Sequence, residues 1–303
     1  MANKPRIAVL GAGLMGHGIG QIFALHGYDV AIYDPVQAAL DSLRSRIVAN
    51  LRDLGEDQSA AERVTPCAAI ADAVRDADYV VEAALENLEV KQQLFAEVER
   101  HAREDAILAS NTSVIPITQI MQGVANGART LGTHWWNPPF LVPLVEVIGT
   151  DRTSAAMIDW TMQLHKGIGK TPVHVKKDVP GFVGNRLQHA LWREAISLVE
   201  QGICDAETVD VVVKASFGRR LAVLGPIENA DMVGLDLTLA IHQTVLPAID
   251  SRPAPSPLLK KLIGEGKLGF KTGEGLRKWS AGEQAALRLK VLQHLKKARE
   301  SDV

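Results

Sequence analysis

The chain is poor in several things, and each shortage removes a class of answer. It has two cysteines in 303 residues, Cys67 and Cys204, far apart and in no metal-ligand spacing. That excludes a disulfide-stapled scaffold and a cysteine zinc site, and no metal is expected. Free thiols fit a reducing compartment, so the expected location is the cytoplasm. No apolar run approaches the roughly 18 residues a membrane span needs. The N-terminal residues enter a strand pattern directly, with no signal-peptide apolar region. Lys and Arg number 33 against 35 Asp and Glu, a formal charge of −2, with no basic stripe of the kind that binds nucleic acid. There is no internal repeat and no low-complexity tract. Aromatic residues make up only 5%, yet two of the five tryptophans are adjacent, in "GTHWWNPP", 132–139.

What is present alternates. Short apolar runs at 6–10, 29–34, 77–83, 106–110, 129–134, 144–148 and 171–177 read as strands. Helical patterns at 14–27, 36–64 and 88–101 lie between the early ones. Strands alternating with helices predict a mostly parallel sheet with helices on both faces. The pattern changes at Pro180-Gly181, beyond which only helical segments are expected: 184–202, 205–217, 232–249 and a charged tail from 282. The predicted architecture is an α/β doubly wound domain over 1–178 followed by a smaller all-α domain over 179–303.

The first apolar run ends in "GAGLMG", Gly11 to Gly16, a G-x-G-x-x-G that opens a helix. In that context the motif predicts a Rossmann-type dinucleotide site. Gly11 permits the tight turn, Gly13 the close approach of a pyrophosphate, and Gly16 close packing of helix on strand. Leu14 and Met15 occupy the variable positions of the turn and are counted with it. Asp34 ends the second strand, 23 residues after Gly11. A carboxylate there accepts hydrogen bonds from ribose hydroxyls and repels a 2′-phosphate, so NAD is the expected cofactor. His17 is read as a first-turn helix residue and not as a base.

His134 falls at the end of a strand, on the side where ligands bind in open α/β sheets. Glu146 lies twelve residues on, in the next strand, after a turn containing Pro138 and Pro139. A carboxylate facing an imidazole fixes its tautomer and stabilises its cation, which suits a general base. Spacing alone favours a structural pair, because buried ion pairs are also structural. Trp135 and Trp136 are expected to wall the site from water, with Asn137 as a nearby amide.

These stretches together resemble the 3-hydroxyacyl-CoA dehydrogenase family nearly end to end. The carrying segments are "GAGLMGHGI", "VVEAALENLEVKQQLF", "ASNTSVIPIT", "GTHWWNPPFLVPLVEVI", "KKDVPGFVGNRL", "GPIENADMVGLD" and "KTGEG". The resemblance implies NAD-dependent interconversion of a 3-hydroxy and a 3-oxo group. It implies His134 as general base paired with Glu146, and Ser113 and Asn185 at the substrate's oxygens. Glu86, Lys91 and Asn111 match cofactor-side positions. The family also implies a homodimer joined through the helical domain.

The sequence departs from the fatty-acyl members in two places. Trp135-Trp136 stands where two phenylalanines are usual, and "FGRRLAVLGP", 217–226, is longer than its usual equivalent. Both features resemble the branch acting on small acids without coenzyme A: gulonate dehydrogenase and lambda-crystallin, carnitine dehydrogenases and a pyridine-carboxylate dehydrogenase. A small free acid needs a cation near the reacting carbon, and a guanidinium suits a carboxylate. Arg220, ahead of Arg219, is the expected holder. A 3-hydroxyacyl thioester remains the family's main substrate and a small 3-hydroxy acid the alternative. A non-catalytic NAD-binding structural protein is a remote third.

Overall fold

In a computed structural model, which describes residues 4–301, the short apolar runs become eight strands of one sheet. These are β1 (Ile7–Leu10), β2 (Val30–Tyr33), β3 (Val64–Cys67), β4 (Tyr79–Glu82), β5 (Ile107–Ser110), β6 (Thr130–Trp135), β7 (Leu144–Ile148) and β8 (Thr171–Val175). Their order is β3-β2-β1-β4-β5-β6-β7-β8. Every neighbouring pair is parallel except β6–β7, which is antiparallel. The β6–β7 connection is too short for the crossover of about a dozen residues that a parallel pair requires. Between β1 and β4 the winding reverses, which opens a crevice beyond their C-terminal ends. This is the expected α/β doubly wound, Rossmann-type sheet.

Strand residues alternate between two apolar layers, as a period of two requires. Ile7, Val9 and Val81 join the layer under helices Leu14–Leu25 and Ala155–Lys166. Ala8, Leu10 and Val80 join the layer under helix Leu88–His101.

Three local readings change. The helix expected over 36–64 is broken into Gln37–Asp41, Leu43–Leu54 and the 3-10 turn Gln58–Arg63, and its end is followed by β3. Gly55 stops the second piece in a left-handed conformation (φ 70°). Pro66 hid β3 in the sequence; it is tolerated because β3 is an edge strand paired only with β2. The helix expected over 232–249 is interrupted at Gly234 (φ 96°), leaving Pro226–Val233 and Leu235–Val245.

The chain forms two units. One runs to Arg186 and includes the residues from Leu292 onward; the other is Leu187–Val291. This differs from a division at 178/179 with a helical domain reaching the end. Bonds to the sheet explain the first shift: the Val183 and Gly184 amides donate to Glu146, and Asn185 donates to the Ser113 carbonyl. The tail is held by Lys296, which donates to the Asp53 carbonyl, and by the Arg299–Glu56 ion pair. The second unit is helical, with helices Ala206–Ala215, Leu235–Val245 and Pro257–Gly264 among its elements. Among the described residues no helix is long and apolar enough to cross a membrane.

Candidate active site

The glycine turn joins β1 to helix Leu14–Leu25. Gly11 has φ 113°, and a Cβ there would lie 2.6 Å from the Ala83 carbonyl oxygen at the end of β4. A Cβ on Gly16 would lie 1.7 Å from the Gly11 carbonyl oxygen, so helix and turn pack at backbone distance. Gly13 is different: a Cβ there would meet nothing within 4 Å. Its bare face opens on a cavity of about 640 Å³ whose lining includes Gly11, Asp34, Ala84 and Gln93. Gly13 begins the helix with no side-chain cap, so the first backbone amides are left for a ligand. Asp34 accepts from the Ala12 amide at 2.7 Å and the Val36 amide at 2.8 Å. Each of its oxygens keeps a lone pair for a ribose hydroxyl. Leu14 is exposed beside the turn and Met15 is half-buried. An open glycine face, uncapped amides and a carboxylate at the end of β2 fit NAD.

Beside this cavity lies an ionic network that the sequence showed only in part. Lys91 is fully buried; its Nζ donates to Glu82 Oε1 at 2.6 Å and is 3.3 Å from Glu86 Oε2. Glu82, at the end of β4, also accepts from the Ser110 hydroxyl (2.6 Å) and the Ala84 amide (2.7 Å). Glu86 Oε1 accepts from the Thr112 hydroxyl (2.6 Å) and the amides of Ser113 (2.9 Å) and Val114 (3.2 Å). Burial pushes the Glu86 carboxyl up, but these bonds and the Lys91 ammonium outweigh it and hold its pKa below the usual value. The expected cofactor-side residues Glu86 and Lys91 are therefore already engaged in shaping the turn that carries Ser113. Glu82, Ser110 and Thr112 were not anticipated. The signal for Glu82 was an acid closing an otherwise apolar central strand.

The β6–β7 pair sets His134 directly opposite Glu146. His134 Nδ1 lies 2.8 Å from Glu146 Oε2, with both side chains buried. The other oxygen, Oε1, accepts from the Val183 amide (2.9 Å) and the Gly184 amide (3.0 Å). Burial pushes the Glu146 carboxyl up. The bonds from His134, Gly184 and Val183 outweigh it, so the group stays ionised below the usual carboxylate range. A carboxylate only accepts, so Nδ1 carries a proton, and in the neutral ring Nε2 is the nitrogen with the lone pair. The ring lies between Trp136 (5.3 Å between centroids) and Phe182 (5.7 Å).

Neighbouring bonds gather the other expected residues here. Asn111 Oδ1 accepts from the Trp135 amide at 2.9 Å, and Asn185 Nδ2 donates to the Ser113 carbonyl at 2.8 Å. Asn137 is exposed on the loop that follows β6. The expectation that both tryptophans wall the substrate requires correction for Trp135. Consecutive strand residues point to opposite faces. Trp135 is 2% exposed in the core layer, against Phe23 and His165 and under the Lys170 ammonium. Trp136 is half-buried, with its ring beside that of His134. Arg219 and Arg220 are exposed in the Leu187–Val291 unit.

A Rossmann-type sheet with an open glycine turn, together with the family match, makes this an NAD-dependent dehydrogenase acting on a CH–OH group. The chain belongs to the 3-hydroxyacyl-CoA dehydrogenase family: residues 6–179 match its NAD-binding domain and 181–279 its C-terminal domain. It is 35% identical over 286 residues, 93% of each chain, to 5-formyl-3-hydroxy-2-methylpyridine 4-carboxylate 5-dehydrogenase of Mesorhizobium japonicum. A solved structure of an enzyme of that name, described as an NAD+-dependent dismutase, is 34% identical. It superposes with a TM-score of 0.91 over 98% of both chains. The (S)-3-hydroxybutyryl-CoA dehydrogenase PaaH1 of Ralstonia eutropha, 32% identical, superposes with a TM-score of 0.76 over 91% of this chain and 100% of its own.

Proposed function

We propose that this dehydrogenase oxidises the hydroxyl of a small carboxylate-bearing alcohol that carries no coenzyme A. The observation that carries the reading is the closer whole-chain likeness to the pyridine-carboxylate enzyme, at 0.91 against 0.76 for the thioester enzyme. In this reading His134 Nε2 takes the hydroxyl proton while Glu146 steadies the resulting imidazolium. NAD, when bound, accepts the hydride. Ser113 and Asn185 hold the substrate's oxygens, Asn137 lies at the mouth, and Trp136 keeps water from the reacting carbon. Arg220 takes the substrate carboxylate as a bidentate partner. A 3-hydroxyacyl-CoA thioester is the second reading, favoured by the family itself.

Parallel assays of NADH formation with 3-hydroxybutyryl-CoA, free 3-hydroxybutyrate and other small 3-hydroxy acids test the choice. Turnover of free acids supports the reading, and turnover of the thioester alone rejects it. Arg220→Met should raise KM for an acid substrate, and an unchanged KM removes Arg220 from the site.

We further propose a homodimer joined through the helical unit. Its helices leave Leu235, Leu239 and Ile241 exposed at 65%, 60% and 48%, apolar side chains that a second copy would cover. Sedimentation at micromolar concentration checks this. Two unpaired cysteines support a cytoplasmic setting.

A further inference from the structure

The backbone of the glycine turn is held from behind by a helix that does not line the cofactor cavity. Helix Leu43–Leu54 presents Arg46 and Asn50, one turn apart, to the turn. Arg46 Nη2 donates to the Ala12 carbonyl at 2.7 Å and to the Ala39 carbonyl at 2.9 Å. The amide of the same residue, Ala12, donates to Asp34 on the other side. His17 Nδ1 lies 2.7 Å from the Gly13 carbonyl oxygen. A carbonyl only accepts, so Nδ1 carries the proton and Nε2 accepts from Asn50 Nδ2 at 3.1 Å. The Asn50 amide also donates to Gln21 Oε1 at 3.0 Å. Burial holds the His17 pKa below its usual value against the opposing pull of the Gly13 bond, and the Arg46 charge adds to the lowering. Both imidazole nitrogens are thus satisfied in the neutral form.

A peptide plane is rigid, so fixing a carbonyl fixes the N–H of the next residue. Arg46 on the Ala12 carbonyl aims the Gly13 amide. His17 on the Gly13 carbonyl aims the Leu14 amide. These are the amides at the uncapped start of helix Leu14–Leu25, beside the open face of Gly13. None of Arg46, His17 and Asn50 lines the cavity.

We infer that Arg46 and the His17–Asn50 pair are positioning residues for the dinucleotide pyrophosphate. They orient the amides that receive it and do not contact it themselves. Pre-aimed donors lose little freedom on binding, so loosening them weakens affinity.

The test is NAD binding to the purified protein, followed by tryptophan fluorescence or calorimetry, in Arg46→Met, Arg46→Lys and Asn50→Ala. Arg46→Met and Asn50→Ala should each raise the Kd for NAD about tenfold, the size of one lost charge-assisted or buried hydrogen bond. The loss should appear in Kd and in KM for NAD rather than in kcat. It should persist at high salt, and Arg46→Lys should recover part of it. An unchanged Kd in both Arg46→Met and Asn50→Ala overturns the inference. So does a loss confined to Arg46→Met that disappears with salt, which would mark a simple charge attraction. Melting without NAD is recorded for each variant. If Arg46→Met does not fold, Asn50→Ala, which leaves the Ala12 contact intact, decides.

Discussion

His134 and Glu146 are register partners on β6 and β7, joined at 2.8 Å, and the second oxygen of Glu146 is held by the backbone amides of Val183 and Gly184. The carboxylate therefore has one face for the imidazole and one for the backbone. Glu146→Gln should break this arrangement without emptying it. The Val183 and Gly184 amides still need an acceptor, so the glutamine oxygen stays with them and its NH2 turns to His134. Nδ1 must then accept, which moves the imidazole proton to Nε2, the atom that should take a proton. kcat should fall by about 10²–10⁴-fold, with NAD affinity retained. Steady-state kinetics beside an NAD titration checks both halves. His134→Gln should likewise abolish turnover and keep NAD binding; normal turnover in that variant would show that His134 is not the base.

Gly13 and Gly16 should respond differently to the same added methyl. At Gly16 the Cβ meets backbone at 1.7 Å, and neither helix nor turn has a side chain to give way. Gly16→Ala should lower the melting temperature and abolish NAD binding together. At Gly13 the Cβ enters open space, and the φ of −70° is ordinary for alanine. Gly13→Ala should melt like the wild type yet bind NAD at least about tenfold more weakly, because the methyl occupies the pyrophosphate's approach.

The two adjacent tryptophans should separate stability from substrate binding. Trp135→Ala removes a fully enclosed core side chain and should cost about 3–5 kcal/mol in urea unfolding. Trp136→Ala removes a half-buried ring beside the base and should cost less stability while raising substrate KM. Comparable stability losses with no change in KM would contradict the wall assigned to Trp136.

Lys170 gives the pH dependence. Its buried ammonium donates to the carbonyls of Pro139 and Val142 and lies over the Trp135 ring. Burial, with the charge of Arg299 adding, lowers its pKa from 10.5 to about 8. Between those values the unfolded chain binds a proton that the folded chain does not, so stability rises with pH across that window. The wild type should gain on Lys170→Met from about pH 8 toward 10.5, by at most about 1.4 kcal/mol per pH unit. Below pH 8 the difference should be flat. Urea titrations of the pair at several pH values measure the slope, and a falling difference would reject the assignment.

Much of this protein is determined within short stretches of sequence. The order of strands and helices, the glycine turn with Asp34, and the stop at Gly202 (φ 69°) are local, because chain sterics and hydrophobic period act over a few residues. The His134–Glu146 pairing was legible as a spacing of twelve residues across a proline turn. The antiparallel register turned that spacing into contact. The alternation that sends Trp135 into the core and leaves Trp136 by His134 depended on where β6 ends. The contacts of Lys91 with Glu82, of Arg46 with Ala12 and of Lys170 with Val142 had no reading in sequence. Each joins segments brought together by the sheet, and a long side chain's partner is chosen by burial and by the carbonyls and carboxylates left unpaired around it. The sequence determined which chemical groups the chain carries. Tertiary structure decided which of them meet, because hydrogen bonds act over about 3 Å whatever the separation along the chain.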